Sequence, residues 1–317
     1  MSELMKNIDA RTKLAGTNKL EILLFSLGLD SRTGRNETYG INVFKVREVL
    51  RTPGITRAPE MPNAVEGMVS LRGVLVPVVD LAKYAGIPVE QKPEIMIVTE
   101  YNAHTQAFLV DGVDTILRLD WSAMKVPPKM LLQESGGLVT AITELADNRL
   151  VMMLDVERVL AETAKFGEDE AVFQSIKSIK DQVGERTVFF ADDSSVARRQ
   201  IERTLAALKV KHVSAINGSQ AWTELQKIAD VAEAADRPVK DYVGLVLTDV
   251  EMPEMDGYIL TRKIRADSRF AGIPIIMHSS LSSMENQSLG LSVGVDEYVP
   301  KFEAQRLAEV LTRRLAA

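Results

Sequence analysis

The chain has 317 residues, a hydrophobic content of 46%, a charged content of 26% and a formal net charge of −6 at pH 7. This length and composition are typical of two folded domains, and the acidic balance excludes a polycation that binds nucleic acid through its phosphates. The absence of cysteine excludes disulfides and thiolate metal sites.

Membrane insertion is also not expected. No apolar run approaches the roughly 18 residues that a membrane-spanning helix needs, and the segment 1–16 has no continuous apolar core. We therefore predict a cytoplasmic protein that binds neither nucleic acid nor the membrane interior directly.

Short apolar segments separated by turn residues dominate the region 19–162. They recur about every ten residues, which favours a small all-β fold over a parallel sheet. Helices are scarce in this region, with short candidates at 45–50 and 155–161. The predicted strands are 20–28, 39–44, 65–73, 74–81, 93–101, 106–113, 138–145 and 149–156.

The pattern changes after residue 162. The segment 163–185 is charged and carries apolar residues at helical spacing, so we predict a linker with an amphipathic helix. From 186 to 317, strands alternate with helices, which is typical of parallel βαβ units and a doubly wound α/β sheet. The predicted fold is therefore multidomain, an all-β domain followed by an α/β domain.

Three acids follow predicted strands of the second domain. Asp192 and Asp193 follow the first strand, and Asp249 follows the third in "VGLVLTDVEMPEMDG". Asp249 taken alone is also compatible with an ordinary turn acid. Ligands of doubly wound sheets bind at the carboxyl ends of the strands, where three like charges would repel one another. A divalent cation such as Mg²⁺ would relieve that repulsion.

Two further polar residues end the fourth and fifth strands. The Lys301 ammonium would neutralise an anionic group on Asp249, and the Ser279 hydroxyl would hydrogen-bond to one of its oxygens. Ser280 offers a second hydroxyl beside Ser279. An Asp nucleophile, Mg²⁺, a hydroxyl and a Lys together indicate phosphoryl transfer to an aspartate.

These residues resemble the response regulator receiver family over 186–317, which implies a flavodoxin-like fold. The resemblance implies Asp249 as phosphoacceptor, Ser279 and Lys301 as residues that read the phosphoryl group, and Tyr298 as an aromatic switch. One departure is that Pro300 precedes the Lys instead of following it. The implied Mg²⁺ ligands are Asp192, Asp193, Asp249 and the backbone carbonyl of Glu251.

The region 19–162 is similar to the CheW-like family in "YGINVFKVREVL" and "VEGMVSLRGVLVPVVDLAKYAGI". That likeness implies two small β-barrels side by side, a double β-barrel that binds proteins. The implied partners are the histidine kinase CheA and the cytoplasmic tips of chemoreceptors. The candidate partner-binding residues are Val46, Glu48 and Arg72, although a Glu48–Arg72 ion pair is also compatible with a purely structural role.

A CheW-like domain followed by a receiver is the architecture of the CheV family, of which the chain is identified as a member. This implies a chemotaxis adaptor, not an enzyme, that is recruited to receptor arrays and couples receptors to CheA. Phosphorylation of Asp249 would adapt the kinase response or drain phosphoryl groups as a sink. Two alternatives are a phosphotransfer enzyme of the haloacid-dehalogenase type and a receiver fused to an unrelated oligomerisation module.

Overall fold

The computed structural model describes residues 19–57, 59–101, 104–128, 130, 137–164, 170–177, 186–280 and 284–316. The chain divides into two compact units, of which the first contains Lys19–Ala164 and the second contains Lys165–Ala317. None of the helices in the described ranges combines the length and the apolar character that a membrane span requires.

The first unit is built from two five-stranded sheets. The first sheet has the order β8-β1-β2-β10-β9 and the second has the order β3-β6-β7-β5-β4. The strands are β1 Lys19–Ser26, β2 Thr38–Asn42, β3 Val46–Arg51, β4 Val65–Leu71, β5 Val74–Asp80, β6 Ile95–Tyr101, β7 His104–Val110, β8 Gly112–Asp120, β9 Val139–Glu144 and β10 Leu150–Leu154. Each sheet buries its own cluster of Leu, Ile, Val and Met side chains.

The β-rich character predicted for this unit is confirmed, with one error and one omission. The helix predicted at 45–50 is wrong, because Val46–Arg51 forms strand β3 and pairs antiparallel with β6. Six residues are too few to separate a helical from a strand period, and cross-strand pairing decided the outcome. The strand Gly112–Asp120 was not predicted, since its side chains are mostly exposed or half-buried.

The described part of the first unit also contains two helices and two 3₁₀ turns. Helix α1 spans Leu81–Tyr84, helix α2 spans Val156–Ala164, and 3₁₀ turns span Val43–Lys45 and Trp121–Ala123. The helix predicted at 155–161 is thus confirmed as α2.

Helix α2 connects the two sheets of the first unit. It follows β10 of the first sheet, and its Thr163 hydroxyl accepts a 2.8 Å hydrogen bond from Gln106 of β7 in the second sheet. The buried Glu157 of α2 pairs at 2.7 Å with Lys45, on the turn between β2 and β3. Glu162 accepts a 2.5 Å hydrogen bond from Tyr84. Polar contacts of α2 therefore hold both sheets.

The second unit has one parallel sheet of five strands, in the order β12-β11-β13-β14-β15. Its strands are β11 Thr187–Ala191, β12 Lys211–Ala215, β13 Leu245–Thr248, β14 Ile275–Ser279 and β15 Glu297–Pro300. The helices are α3 Glu170–Lys177, α4 Ser195–Leu208, α5 Gly218–Ala234, α6 Gly257–Ala266, α7 Met284–Ser292 and α8 Ala304–Ala316, with 3₁₀ turns at Val239–Asp241 and Ser268–Phe270. The predicted doubly wound α/β fold is confirmed.

The amphipathic helix predicted in the linker is present as α3 and packs within the second unit. Phe173 and Ile176 of α3 are buried in the same apolar cluster as side chains of α4 and α8. The pattern predicted the helix, because its apolar residues recur at helical spacing. Phe166 and Ile179, which extend that pattern, lie outside the described residues.

Gly67 occupies a position in the first unit that no larger residue fits. Its φ is +147°, and a Cβ atom there would lie 2.4 Å from the backbone oxygen of Thr56, which pairs with Met68. We expect Gly67→Ala to lower the free energy of unfolding of this unit by about 2 kcal/mol or more. Urea unfolding, followed by Trp121 fluorescence in a Trp222→Phe background, measures the change.

Gly54→Ala is the matched control, because a Cβ atom at Gly54 meets nothing within 4 Å. We expect its urea midpoint to stay near that of the parent chain. Equal midpoints for the two alanine variants would contradict the steric requirement at Gly67.

Candidate functional site

The three predicted acids meet at one edge of the parallel sheet. Ala191, the last residue of β11, pairs with Thr248, the last residue of β13, so the residues that follow lie side by side. Each of Asp192, Asp193 and Asp249 places a carboxylate oxygen within 4.8 Å of the others. Asp192 and Asp249 are buried, whereas Asp193 is partly exposed.

Lys301 lies inside this acidic cluster and is 1% exposed. Its ammonium nitrogen is 2.8 Å from Asp249 Oδ2 and 3.1 Å from Asp192 Oδ2. The position follows from the sheet, because Lys301 comes directly after β15 and its backbone N–H donates to the Ser279 carbonyl at 3.1 Å. Burying a lysine is costly without such partners, so the two carboxylates and the ammonium stabilise one another.

The cluster fits a divalent cation. It holds three carboxylates and one ammonium, and a doubly charged ion would balance them. Carboxylate oxygens beside a partly exposed residue suit Mg²⁺, which keeps several of its waters. Asp192, Asp193 and Asp249 are the residues that would hold it. The backbone carbonyl of Glu251, whose side chain is 7% exposed, stays a predicted fourth ligand.

Arg198 holds the acidic loop and was not found from the sequence. Its guanidinium donates from Nη1 to the carbonyl oxygens of Asp192 at 2.9 Å and Asp193 at 2.8 Å. Its neighbour Arg199 is exposed and donates to the Ser195 carbonyl at 3.3 Å. Two adjacent arginines on one helix give no sequence signal that tells the positioning residue from the solvent-facing one.

The backbone around Asp249 is closely packed against the start of α6. The Val250 N–H donates to Asp249 Oδ1 at 2.6 Å, and the Gly257 N–H donates to the Val250 carbonyl at 2.9 Å. A Cβ atom on Gly257 would lie 1.9 Å from the Asp249 carbonyl oxygen. Gly257 is therefore required for close approach of the helix to the acid. Asp256 caps α6 by accepting from the Ile259 N–H at 2.7 Å, and burial raises its pKa.

Ser279, Ser280 and Tyr298 lie next to the cluster. Both serines are buried, at 0% and 2% exposure, and the Tyr298 hydroxyl shares a hydrogen bond with Ser279. Burial raises the pKa of Tyr298, and the nearby Asp249 and Glu251 charges raise it further. Ser279 thus contacts Tyr298, the predicted switch residue. Its contact with a phosphoryl group remains our prediction.

Tyr258 is a second tyrosine near the site that the sequence did not reveal. It is 4% exposed on α6, and burial raises its pKa, as do the charges of Asp249 and Glu251. Its position one residue after Gly257 reads as ordinary helix packing in the sequence. The structure instead places a neutral phenol beside the acidic cluster.

Glu48 and Arg72, predicted as partner-binding residues of the first unit, form an ion pair. Arg72 Nη2 is 2.9 Å from Glu48 Oε2, and the side chains are 67% and 15% exposed. Arg72 has φ +51° and Gly73 has φ +84°, so the turn between β4 and β5 has two consecutive left-handed residues, as a type I′ turn requires. A left-handed backbone conformation is energetically unfavourable for Arg. Such strained residues occur most often at functional sites.

Val46 was predicted to face a partner, but its side chain is buried. It is 3% exposed, and the pairing of β3 with β6 shifts register between Val46 and Glu48. Because a bulge breaks the alternation of a strand, Val46 turns into the core while Glu48 remains at the surface. Its burial leaves Val46 no surface to offer a partner, and only Glu48 and Arg72 remain as candidates for direct contact.

Comparisons with known proteins match both units. A family model described as "CheW-like domain" matches residues 23–164, and one described as "Response regulator receiver domain" matches residues 188–312. Chemotaxis protein CheV3 of Helicobacter pylori is 29% identical over 307 residues, which cover 94% of this chain and 95% of that protein.

Two shorter relatives each match one unit. Chemotaxis protein CheW of Klebsiella aerogenes is 30% identical over 161 residues, covering 50% of this chain and 92% of that protein. Chemotaxis protein CheY1 of Helicobacter pylori is 38% identical over 122 residues, covering 38% of this chain and 89% of that protein.

The balance of charge around Lys301 can be tested by removing it. We expect Lys301→Met to lower the free energy of unfolding of the second unit by about 3 kcal/mol without Mg²⁺, because two buried carboxylates lose their ammonium. Mg²⁺ should stabilise this variant more than the parent chain, since the ion supplies the missing positive charge. Urea unfolding by Trp222 fluorescence in a Trp121→Phe background, with EDTA or with Mg²⁺, measures both effects.

The control is Lys240→Met, which removes an exposed ammonium from the same unit. We expect it to leave both the urea midpoint and the Mg²⁺ effect unchanged. If Mg²⁺ stabilised the Lys301→Met variant and the parent chain equally, Lys301 and the ion would not share the same carboxylates.

Proposed function

The chain belongs to the CheV family, with a CheW-like domain followed by a response regulator receiver domain, and from this we propose that it is a chemotaxis adaptor that couples chemoreceptors to the histidine kinase CheA and is regulated by phosphorylation of Asp249. The observation that carries the proposal is the buried cluster of Asp192, Asp249 and Lys301, built at the strand ends of the receiver. The adaptor acts in the cytoplasm, at receptor arrays.

Phosphoryl transfer to Asp249 needs a nucleophile and compensation of charge. An Asp249 carboxylate oxygen attacks the phosphorus of a phosphohistidine of the kinase, the phosphorus–nitrogen bond breaks, and the histidine nitrogen keeps the electron pair and takes a proton. Asp192, Asp193, Asp249 and the Glu251 carbonyl would hold Mg²⁺, which would supply positive charge for the phosphoryl oxygens. Lys301, already 2.8 Å from Asp249, adds the second positive charge.

The residues around the cluster would convert the chemistry into a signal. In this proposal the Ser279 hydroxyl donates to a phosphoryl oxygen, and the Tyr298 hydroxyl is hydrogen-bonded to that serine. A serine drawn toward the phosphoryl group gives up its contact with Tyr298, so the tyrosine is free to change position. In this role the receiver catalyses only its own phosphorylation and dephosphorylation, and the chain is a scaffold, not an enzyme with a released product.

An enzyme of the haloacid-dehalogenase type is not favoured. Such an enzyme takes its nucleophile from an Asp-x-Asp pattern after the first strand, whereas Asp192 and Asp193 are adjacent and Asp249 follows a different strand. An unrelated oligomerisation module is not favoured either, because the first unit matches the CheW-like family.

Phosphorylation of Asp249 is tested by labelling the full chain with phospho-CheA, or with acetyl phosphate, in the presence of Mg²⁺. We expect intact-mass measurement to detect one phosphoryl group on the parent chain and none on Asp249→Asn, because the amide is not a nucleophile for this transfer. In reconstituted receptor–kinase arrays, only the parent chain should change kinase activity upon phosphorylation.

Asp256→Asn is the matched control for that experiment. Asp256 lies in the same loop and caps α6, a role that asparagine also fills. We expect this variant to be labelled as the parent chain is. Equal labelling of Asp249→Asn and the parent would refute the acceptor assignment.

Partner binding at Arg72 can be separated from a structural role of its ion pair. We expect Arg72→Ala to weaken binding to a chemoreceptor cytoplasmic tip by about tenfold, as loss of an interfacial arginine does. The free energy of unfolding should change by less than about 1 kcal/mol, because the Arg72 side chain is 67% exposed. Calorimetric titration and urea unfolding give the two values.

Arg57→Ala removes another exposed arginine of the same unit and should leave binding unchanged. Unchanged binding together with a clear loss of stability in Arg72→Ala would mean that the pair with Glu48 is purely structural.

A further inference from the structure

Helix α3 rests on a surface that α4 and α8 form together, which we call the α4/α8 surface. Phe173 and Ile176 are 5% and 0% exposed and join the buried cluster of these helices. The Arg203 guanidinium of α4 lies 4.2 Å from the centre of the Phe173 ring, a cation–π contact. The Ser175 hydroxyl lies 2.8 Å from Gln305 Oε1 of α8 and 2.7 Å from the Val172 carbonyl oxygen, so these two acceptors share its one proton.

The helical state of α3 depends on this surface. The helix has eight residues, and an isolated helix of that length is not stable in water. Its burial of Phe173 and Ile176 therefore provides the stabilisation that the short segment lacks alone. Leaving the surface means unfolding α3, so docking and helix formation are one event.

The residues of α8 that contact α3 lie close in sequence to Lys301, the lysine proposed to read the phosphoryl group. Phe302, Glu303 and Ala304 follow Lys301 and lead into α8, and Ala304 belongs to the same buried cluster as Phe173. Gln305, the next residue, accepts the hydrogen bond from Ser175. Three residues thus separate Lys301, which contacts Asp249, from Gln305, which contacts α3.

The packing between α3 and this segment is incomplete. A cavity of about 370 Å³ lies there, lined on one side by Val172 and Phe173 of α3 and on the other by Phe302 and the first turn of α8. Gln200 of α4 also lines it. Its side-chain amide is 7% exposed and, within the described ranges, makes no hydrogen bond. A half-open cavity and an unsatisfied amide both leave this part of the contact weaker than a fully packed one.

We propose that the α4/α8 surface is an intramolecular docking surface for α3, and that a phosphoryl group on Asp249 releases α3 through Lys301 and the segment 302–305. The inference rests on the proposed function, because it takes Asp249 as the phosphoacceptor. Lys301 Nζ bridges Asp192 and Asp249 at present. To bind a phosphoryl oxygen it moves beyond the Asp249 carboxylate, and the residues that follow it move with it.

Release of α3 would change the connection between the two units. Helix α2, which connects the sheets of the first unit, ends at Ala164, five residues before α3 begins. As a helix, the eight residues of α3 span about 12 Å. Unfolded, they can extend to about 27 Å. Phosphorylation would thereby lengthen the tether between the coupling domain and the receiver.

Hydrogen exchange of the full chain tests the proposal. The chain is incubated with Mg²⁺, with and without acetyl phosphate held present throughout labelling, and intact mass reports the phosphoryl group. We expect the backbone amides of 174–177, which have intrahelical partners in α3, to exchange at least about tenfold faster in the phosphorylated chain, because their hydrogen bonds exist only in docked α3. Amides of β11 should not change.

The other outcomes overturn the proposal, and they separate a failure of α3 release from a failure of Asp249 phosphorylation. A phosphorylated chain whose α3 amides exchange at the same rate or more slowly overturns the release of α3 and leaves the proposed function intact. A chain that takes up no phosphoryl group overturns both. Asp249→Asn should show no response of α3 to acetyl phosphate, and a response would show that the route does not begin at Asp249.

Variants on α3 test the contact itself without phosphorylation. Ser175→Ala removes the hydrogen bond to Gln305 and should raise the exchange rate of α3 by several fold in the unphosphorylated chain. Gln174→Ala changes an exposed neighbour on the same helix and should not. Equal exchange in the two variants would remove Gln305 from the route and overturn the proposal.

Discussion

The second unit depends on one buried cation. Lys301 lies between Asp192 and Asp249 with almost no exposure to water, and the three charges stabilise one another. A buried charge is costly unless it is paired or hydrogen-bonded, and a buried ammonium between two carboxylates meets this condition. The parallel sheet supplies those partners, because the carboxyl ends of its strands bring residues more than fifty positions apart to one edge. The site is thus a consequence of topology as much as of residue type.

In the first unit, the main structural requirement is to hold two separate sheets together. Two separate sheets, each with its own apolar cluster, must act as one body if the unit is to hold partners at fixed positions. Helix α2 does this with polar contacts, among them Glu157 with Lys45 and Thr163 with Gln106. The exposed pair of Glu48 and Arg72 lies on the second sheet, where a bulge and a left-handed turn determine its direction. The contacts of α2 and the strained turn at Arg72 together position the charged side chains of Glu48 and Arg72.

The sequence predicted the site better than it predicted the local structure. Asp192, Asp193, Asp249 and Lys301 were found because each follows a recognisable apolar strand, and the rule for parallel sheets brings strand ends together. Strand β3 was predicted as a helix, because six residues do not define a period and its pairing partner β6 lies more than forty residues away. Arg198 and the burial of Val46 were missed for a related reason. Both depend on a loop path or a bulge, which a linear pattern does not contain.

The position of Gly257 affects how amino-acid substitutions in this protein should be interpreted. A Cβ atom there would collide with the backbone carbonyl of Asp249, although the glycine itself carries no group that could take part in chemistry. A survey of tolerated substitutions would therefore find it as restricted as Asp249. Such a survey measures two different things at neighbouring positions, reactivity at one and available volume at the other. The close approach of Gly257 to the Asp249 backbone explains such a restriction by volume alone, without any part in chemistry.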